Sequence, residues 1–199
     1  RDRSPSRGLG DVYKRQGYPQ RYDLAAYREL FGFPIEDYYR CAGFDFARHP
    51  YPELAARFME HYNAGVPGCA VTAHAVDTLQ TLARMGWQQA VLSASRRDYL
   101  IEQVRARGLE DYFTELLGLQ DIYGVSKVQV GKDWLRNSGV DPAACVMVGD
   151  TTHDAEVAAA MGTKCVLCTS GHQSRARLEK ASPYVIDDLA QLPALLETI

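Results

Sequence analysis

The stretch Cys145-Val-Met-Val-Gly-Asp-Thr-Thr-His-Asp-Ala-Glu-Val-Ala-Ala-Ala-Met-Gly162 restricts what this chain can fold into more than any other. Residues 145–148 are an apolar run of strand length, Gly149 breaks it, and Thr151 or Thr152 can cap a helix that stops at Gly162. A strand running into a helix puts Asp150 at the carboxyl end of the strand, where open α/β sheets bind ligands. Asp154 follows about one helical turn further on, at the same mouth. Two acids there suit a hard cation such as Mg²⁺, which takes a few carboxylates and keeps waters that a phosphate can replace. The same pair could equally cap and solvate a helix N-terminus.

The rest of the sequence divides into two textures. From residue 17 to about 71 the pattern is helical, with helices predicted at 22–31, 35–42 and 51–63, separated by Gly32, Pro34, Gly43, Pro50 and Gly65. Nine aromatic residues lie between Tyr18 and Phe46 with only Arg21, Arg28 and Arg40 among them, which fits the interior of a small helical domain better than a base-stacking platform. From residue 72 to the end, helix and strand alternate. Helices are predicted at 73–85, 97–108, 127–138 and 174–181, and strands at 89–93, 116–119, 145–148, 164–169 and 184–186. Such alternation implies an α/β core with a mostly parallel sheet, helices on both faces and right-handed crossovers.

Residues 1–16 have no periodicity and few core-forming side chains, and read as a disordered tail resembling translated adapter sequence. They hold five basic and two acidic groups, so the body beyond them carries 17 basic against 23 acidic, a net −6. A body that acidic offers no electrostatic footprint for nucleic acid. No apolar run reaches the length of a membrane span, and no signal peptide is visible, so a cytoplasmic protein is expected. Five cysteines, an odd number, fit reduced thiols better than a disulfide framework. Cys165 and Cys168 form a lone C-x-x-C inside a strand-like run, more in keeping with core thiols than with metal or redox chemistry.

Three features converge on one mouth. Ser93 is a small polar residue at the end of an apolar strand, and Ser93-Ala94-Ser95 offers hydroxyls and backbone N–H groups just before a helix, as an anion cradle does. Lys127 opens a helix, a poor place for a cation unless an anion lies beside it. Taken alone, Ser93 is as readily a helix cap and Lys127 a solvated charge. With Asp150 and Asp154 they make a phosphate-plus-Mg²⁺ site.

On these residues the chain resembles the haloacid dehalogenase-like hydrolases, and within them the phosphoglycolate-phosphatase-like group with a helical cap. Residues 90–93 (Ala-Val-Leu-Ser) are similar to the family's second motif, Ser126-Lys127 to the third, and residues 148–154 (Val-Gly-Asp-Thr-Thr-His-Asp) to the fourth. The resemblance implies a Rossmann-like core (residues 72–199) under a helical cap (residues 17–71), and hydrolysis of a small phosphorylated metabolite with Mg²⁺. It further implies that Ser93, Ala94, Ser95 and Lys127 hold phosphate, that Asp150 binds the metal, and that Asp154 binds it or orients Lys127. Gly171-His172-Gln173-Ser174 also looks like this subgroup, with His172 either a loop histidine or a substrate contact; His153 is left without a role. One departure is large. The family's first motif, an Asp-x-Asp that supplies nucleophile and general acid/base, occurs nowhere in the 199 residues. The strand that carries it would be the central one, between the strands of residues 89–93 and 145–148. An N-terminal truncation, leaving those two strands without their shared neighbour and the fragment inactive, is therefore expected. The alternatives are a non-catalytic phosphate-binding module, or a phosphomutase or dehalogenase on the same fold.

Overall fold

The structure, a computed structural model, describes residues 22–65, 68–120 and 126–199; the predicted tail at 1–16 lies outside the described residues. Three helices come first: α1 (Leu24–Leu30), α2 (Ile35–Cys41) and α3 (Tyr51–Gly65). Asp23 caps α1 by accepting from Ala26 N at 2.8 Å. The aromatic residues that gave this segment its texture form its interior. Tyr27, Tyr38, Tyr39, Phe44 and Leu54 are buried together, and Phe31 and Tyr51 pack against them. Burial pushes the hydroxyls of Tyr27, Tyr38 and Tyr39 far above the ordinary phenol range, so these rings are core and present no stacking surface.

The α/β part begins with α4 (Ala75–Arg84) and continues as β1 (Ala90–Arg96), α5 (Arg97–Arg105), β2 (Glu115–Leu119), α6 (Lys127–Ser138), β3 (Val146–Gly149) and α7 (Thr152–Met161). It ends with β4 (Lys164–Cys168), α8 (Arg175–Leu178), β5 (Tyr184–Ile186) and α9 (Leu192–Leu196). Every strand pairing is parallel. Val91 and Leu92 of β1 lie opposite Leu116 and Leu117 of β2; Val148 of β3 lies opposite Val166 of β4, and Leu167 of β4 opposite Val185 of β5. The molecule is thus a Rossmann-like α/β core with a small helical cap. A core of Leu82, Val166, Cys168, Ile186, Leu192 and Leu196 closes one face of the sheet.

The sheet is split. Among the described residues one parallel sheet has the order β1-β2 and the other the order β3-β4-β5, with no pairing between β1 and β3. Among the described residues no strand lies between them. Exposure records it: Val166 and Leu167 on β4 are fully buried, as a strand covered on both faces should be, whereas Val148 on β3 is 42% exposed.

Several boundaries differ from the sequence reading, for identifiable reasons. β1 runs through Ser93-Ala94-Ser95 to Arg96, because its register with β2 slips between Leu92 and Arg96 and extended backbone continues across the irregularity. Helix α8 has four residues where eight were predicted, and residues 179–181 turn instead toward β5. Helix α9, for which the sequence reading made no assignment, starts with Pro193 tolerated in its first turn. All five cysteines are free; Cys168 is buried, and burial pushes the Cys165 thiol up to about 12.

Candidate functional site

Lys127 and Asp154 meet at the carboxyl ends of the strands. Ser126 caps α6, accepting from Gln129 N at 3.2 Å, and this fixes Lys127 as the first helical residue. A cation there opposes the helix dipole. The compensation is direct: Lys127 Nζ donates to Asp154 Oδ1 at 2.6 Å, and the two side chains are only 14% and 10% exposed.

The other oxygen of Asp154 is equally committed. Oδ2 accepts from Asp150 N at 3.1 Å, Thr151 N at 3.0 Å and Thr151 Oγ1 at 2.8 Å, closing a capping box at the start of α7. Burial pushes this carboxyl upward, but the Lys127 ammonium and the Thr151 and Asp150 hydrogen bonds outweigh it and hold Asp154 below the ordinary carboxylate range. Two glycines make room. A Cβ on Gly149 would collide with the Asp154 side chain, and one on Gly171 with the Asp150 carboxylate.

Asp150 points at the loop after β4. Its Oδ2 accepts from His172 N at 2.9 Å and lies 2.5 Å from His172 Nδ1, which places the ring proton on Nδ1. The His172 ring lies 4.8 Å from the Phe31 ring and 6.2 Å from that of Tyr27, while His153 lies 4.8 Å from Phe33. Rings from the helical cap therefore lie against the two histidines beside the acids.

Ser93 stands at the other strand end, its Oγ accepting from Ser95 N at 3.0 Å. Ser93 and Ser95 are half-buried and Ala94 is exposed. The structure thus brings Lys127, Asp154, Asp150 and His172 into one connected set, with Ser93, Ala94 and Ser95 on β1 beyond it. Among the described residues no group of three or more His, Cys, Asp or Glu side chains is arranged to hold a metal. Both oxygens of Asp154 accept hydrogen bonds within the protein, whereas Asp150 is hydrogen-bonded through Oδ2. One carboxylate with waters and a phosphate is within what Mg²⁺ accepts, and the residues fit to that extent.

Sequence reasoning missed the ties between cap and core. Gln173, fully buried, accepts from Thr152 N at 2.7 Å through Oε1 and donates to Phe31 O at 2.9 Å through Nε2. Arg28 Nε donates to Gly171 O at 3.1 Å, and Arg177 donates to Arg28 O at 3.2 Å, Glu29 O at 3.0 Å and Phe31 O. A glutamine or arginine that acts on carbonyls carries no motif; the only signal was that Gln173 sits within the Gly-His-Gln-Ser segment already noted.

Comparison with known proteins follows the same line. The sequence pattern described as haloacid dehalogenase-like hydrolase matches residues 8–168. A phosphoglycolate phosphatase of Haemophilus influenzae is 29% identical over 122 residues, covering 60% of this chain and 54% of that protein. One from Pasteurella multocida is 28% identical over 147 residues, covering 72% and 66%. The chain thus spans between half and two thirds of the length of these two relatives. In three dimensions it superposes on a haloacid dehalogenase-like family hydrolase of Streptococcus pneumoniae with a TM-score of 0.79, over 96% of this chain and 91% of that one; at 17% identity this shows the fold alone.

Proposed function

The chain belongs to the haloacid dehalogenase-like hydrolases, and we propose that the protein it represents hydrolyses the phosphomonoester of a small metabolite, in the manner of a phosphoglycolate phosphatase, with Mg²⁺ held at Asp150. The observation that carries this reading is the near-buried Lys127–Asp154 pair, 2.6 Å apart, beside Asp150 at the strand ends. In it Lys127 neutralises phosphoryl charge, and Asp154, a positioning residue, holds the ammonium in place. Ser93 and the amides of Ala94 and Ser95 take the phosphoryl oxygens. Bound Mg²⁺ would supply further charge neutralisation on those oxygens. His172 orients Asp150 through Oδ2, and the Phe31 and Tyr27 rings pack against His172 as Phe33 does against His153. The chemical step is attack on phosphorus by an aspartate oxygen. The leaving alkoxide takes a proton from a second aspartate, and water activated by that group then hydrolyses the aspartyl-phosphate.

Neither aspartate of that step is in these 199 residues, so the chain as given should not turn over. The test compares phosphate release from p-nitrophenyl phosphate by this chain and by the chain extended with a strand bearing Asp-x-Asp. Turnover only in the extended chain, lost in its Lys127→Ala variant, supports the reading. Turnover by the 199 residues, or indifference to Lys127→Ala, overturns it. The missing Asp-x-Asp also favours a second reading, a phosphate-binding module without catalysis; it predicts phosphate binding but no turnover in either chain.

A further inference from the structure

Aromatic rings form an unbroken row along the seam between cap and core. Centroid to centroid, His172 lies 4.8 Å from Phe31, Phe31 lies 5.6 Å from Phe33, and Phe33 lies 4.8 Å from His153. Both ends of the row belong to the acid site. His172 meets Asp150 through Nδ1, and His153 follows Asp150 on the first turn of α7. The histidines are tilted by 37° and 35° against their phenylalanines, while Phe31 and Phe33 meet at 81°, so the row offers ring faces and a ring edge side by side. It is open to solvent: Phe33 is 45% exposed, and the His153 and His172 side chains are 32% and 37% exposed. A single exposed phenylalanine means little. One that completes a row of rings anchored on the partner of Asp150 stands beside whatever Asp150 binds.

The charges around the row decide what kind of ligand fits it. Arg28 donates to the carbonyls of Gly171 and Ser170, and Arg177 to those of Arg28, Glu29 and Phe31. Lys127 is held by Asp154 at the phosphoryl end, while His153 and His172 each turn Nδ1 to a carboxylate, Glu156 and Asp150. None of these groups is a free cation for a second anionic substituent, and a carboxylate beside the row would face Asp150 and Glu156. We propose that the row is the leaving-group subsite and takes an uncharged aromatic ring, which makes the substrate the phosphomonoester of an aromatic alcohol and not of glycolate. The inference rests on the phosphatase reading for its phosphate end: Lys127, Ser93 and Asp150 anchor that end, and the rings choose what is attached to it. An aliphatic group would gain burial there without stacking. A planar ring gains both, by offset packing on His153 and Phe33 and by edge contact with Phe31.

The test needs no turnover. The 199-residue chain is titrated, with Mg²⁺ present, against inorganic phosphate, phosphoglycolate, phenyl phosphate and cyclohexyl phosphate, and dissociation constants are read by calorimetry. The ring C–H protons of the five histidines, assigned through single His→Gln variants, report by NMR where a bound ring lies. Phenyl phosphate should bind about tenfold more tightly than inorganic phosphate or phosphoglycolate, and several-fold more tightly than cyclohexyl phosphate. Its ring current should move the His153 and His172 signals from their phosphate-bound positions and leave those of His49, His61 and His74 in place; cyclohexyl phosphate, which has no ring current, should move none of them. Phe33→Leu, at an exposed position, should shrink the tenfold preference for phenyl over inorganic phosphate to about threefold or less. Equal affinity for phenyl and inorganic phosphate, a preference for phosphoglycolate, parity of phenyl and cyclohexyl phosphate, or unmoved His153 and His172 signals would each overturn the proposal and leave the phosphate site standing. Failure of all the ligands to bind would overturn the phosphatase reading, and the subsite with it.

Discussion

Asp154 uses both carboxylate oxygens inside the protein, one on Lys127 and one on the start of α7. Removing either partner of such a pair strands the other, so Lys127→Met and Asp154→Asn should each cost about 3 kcal/mol in urea unfolding, far more than an exposed pair would. The sign of the pH dependence follows from the same contacts. The folded Asp154 carboxyl lies below its unfolded value, so its stabilisation is fully present above about pH 4 and is lost as pH falls through the folded value. Unfolding free energies measured from pH 6 down to pH 2.5 should fall in that window, and Asp154→Asn should flatten this limb. Gly171→Ala tests crowding instead of charge. Its methyl would meet the Asp150 carboxylate, so the loop carrying His172 must shift, and turnover by the chain extended with Asp-x-Asp should drop at least tenfold with little change in melting temperature. Asp150, Asp154 and Lys127 were legible in the sequence because each sits at a punctuation mark, a strand end or a helix start. Gln173 was not, since its role depends on burial between two carbonyl-bearing and amide-bearing ends brought together from 142 and 21 residues away.

Helix α7 shows how much an element can owe to its first turn. Thr151 accepts from Asp154 N while the Asp154 side chain answers the Thr151 N–H, and Gly162 closes the other end in the left-handed conformation. Thr151→Ala should cost about 1–2 kcal/mol in thermal or urea unfolding, and Thr151→Ser should recover most of it. This helix, like α6 with Ser126 and Gly139 at its ends, was readable to within a residue, because capping chemistry is local. Elements ended by tertiary events were less so. The bulge that prolongs β1 comes from its register with β2, and the shortness of α8 from its place between the His172 loop and β5; no local pattern encodes either.

At the scale of the molecule, alternation of helix and strand announced a parallel sheet, and the missing Asp-x-Asp announced a gap in it; how cap and core are joined was not announced at all. That junction makes a prediction of its own. Arg177 reaches three carbonyls at the end of α1, groups a helix terminus otherwise leaves to water. Arg177→Ala should speed chymotryptic cleavage among the aromatic residues 27–46 several-fold at temperatures well below the melting transition. Arg28, Arg177 and Gln173 all bind across the same seam that carries Phe31 onto His172. Because the three tethers converge on one seam, any movement of the cap away from the core severs them together and uncovers His172 at the same moment.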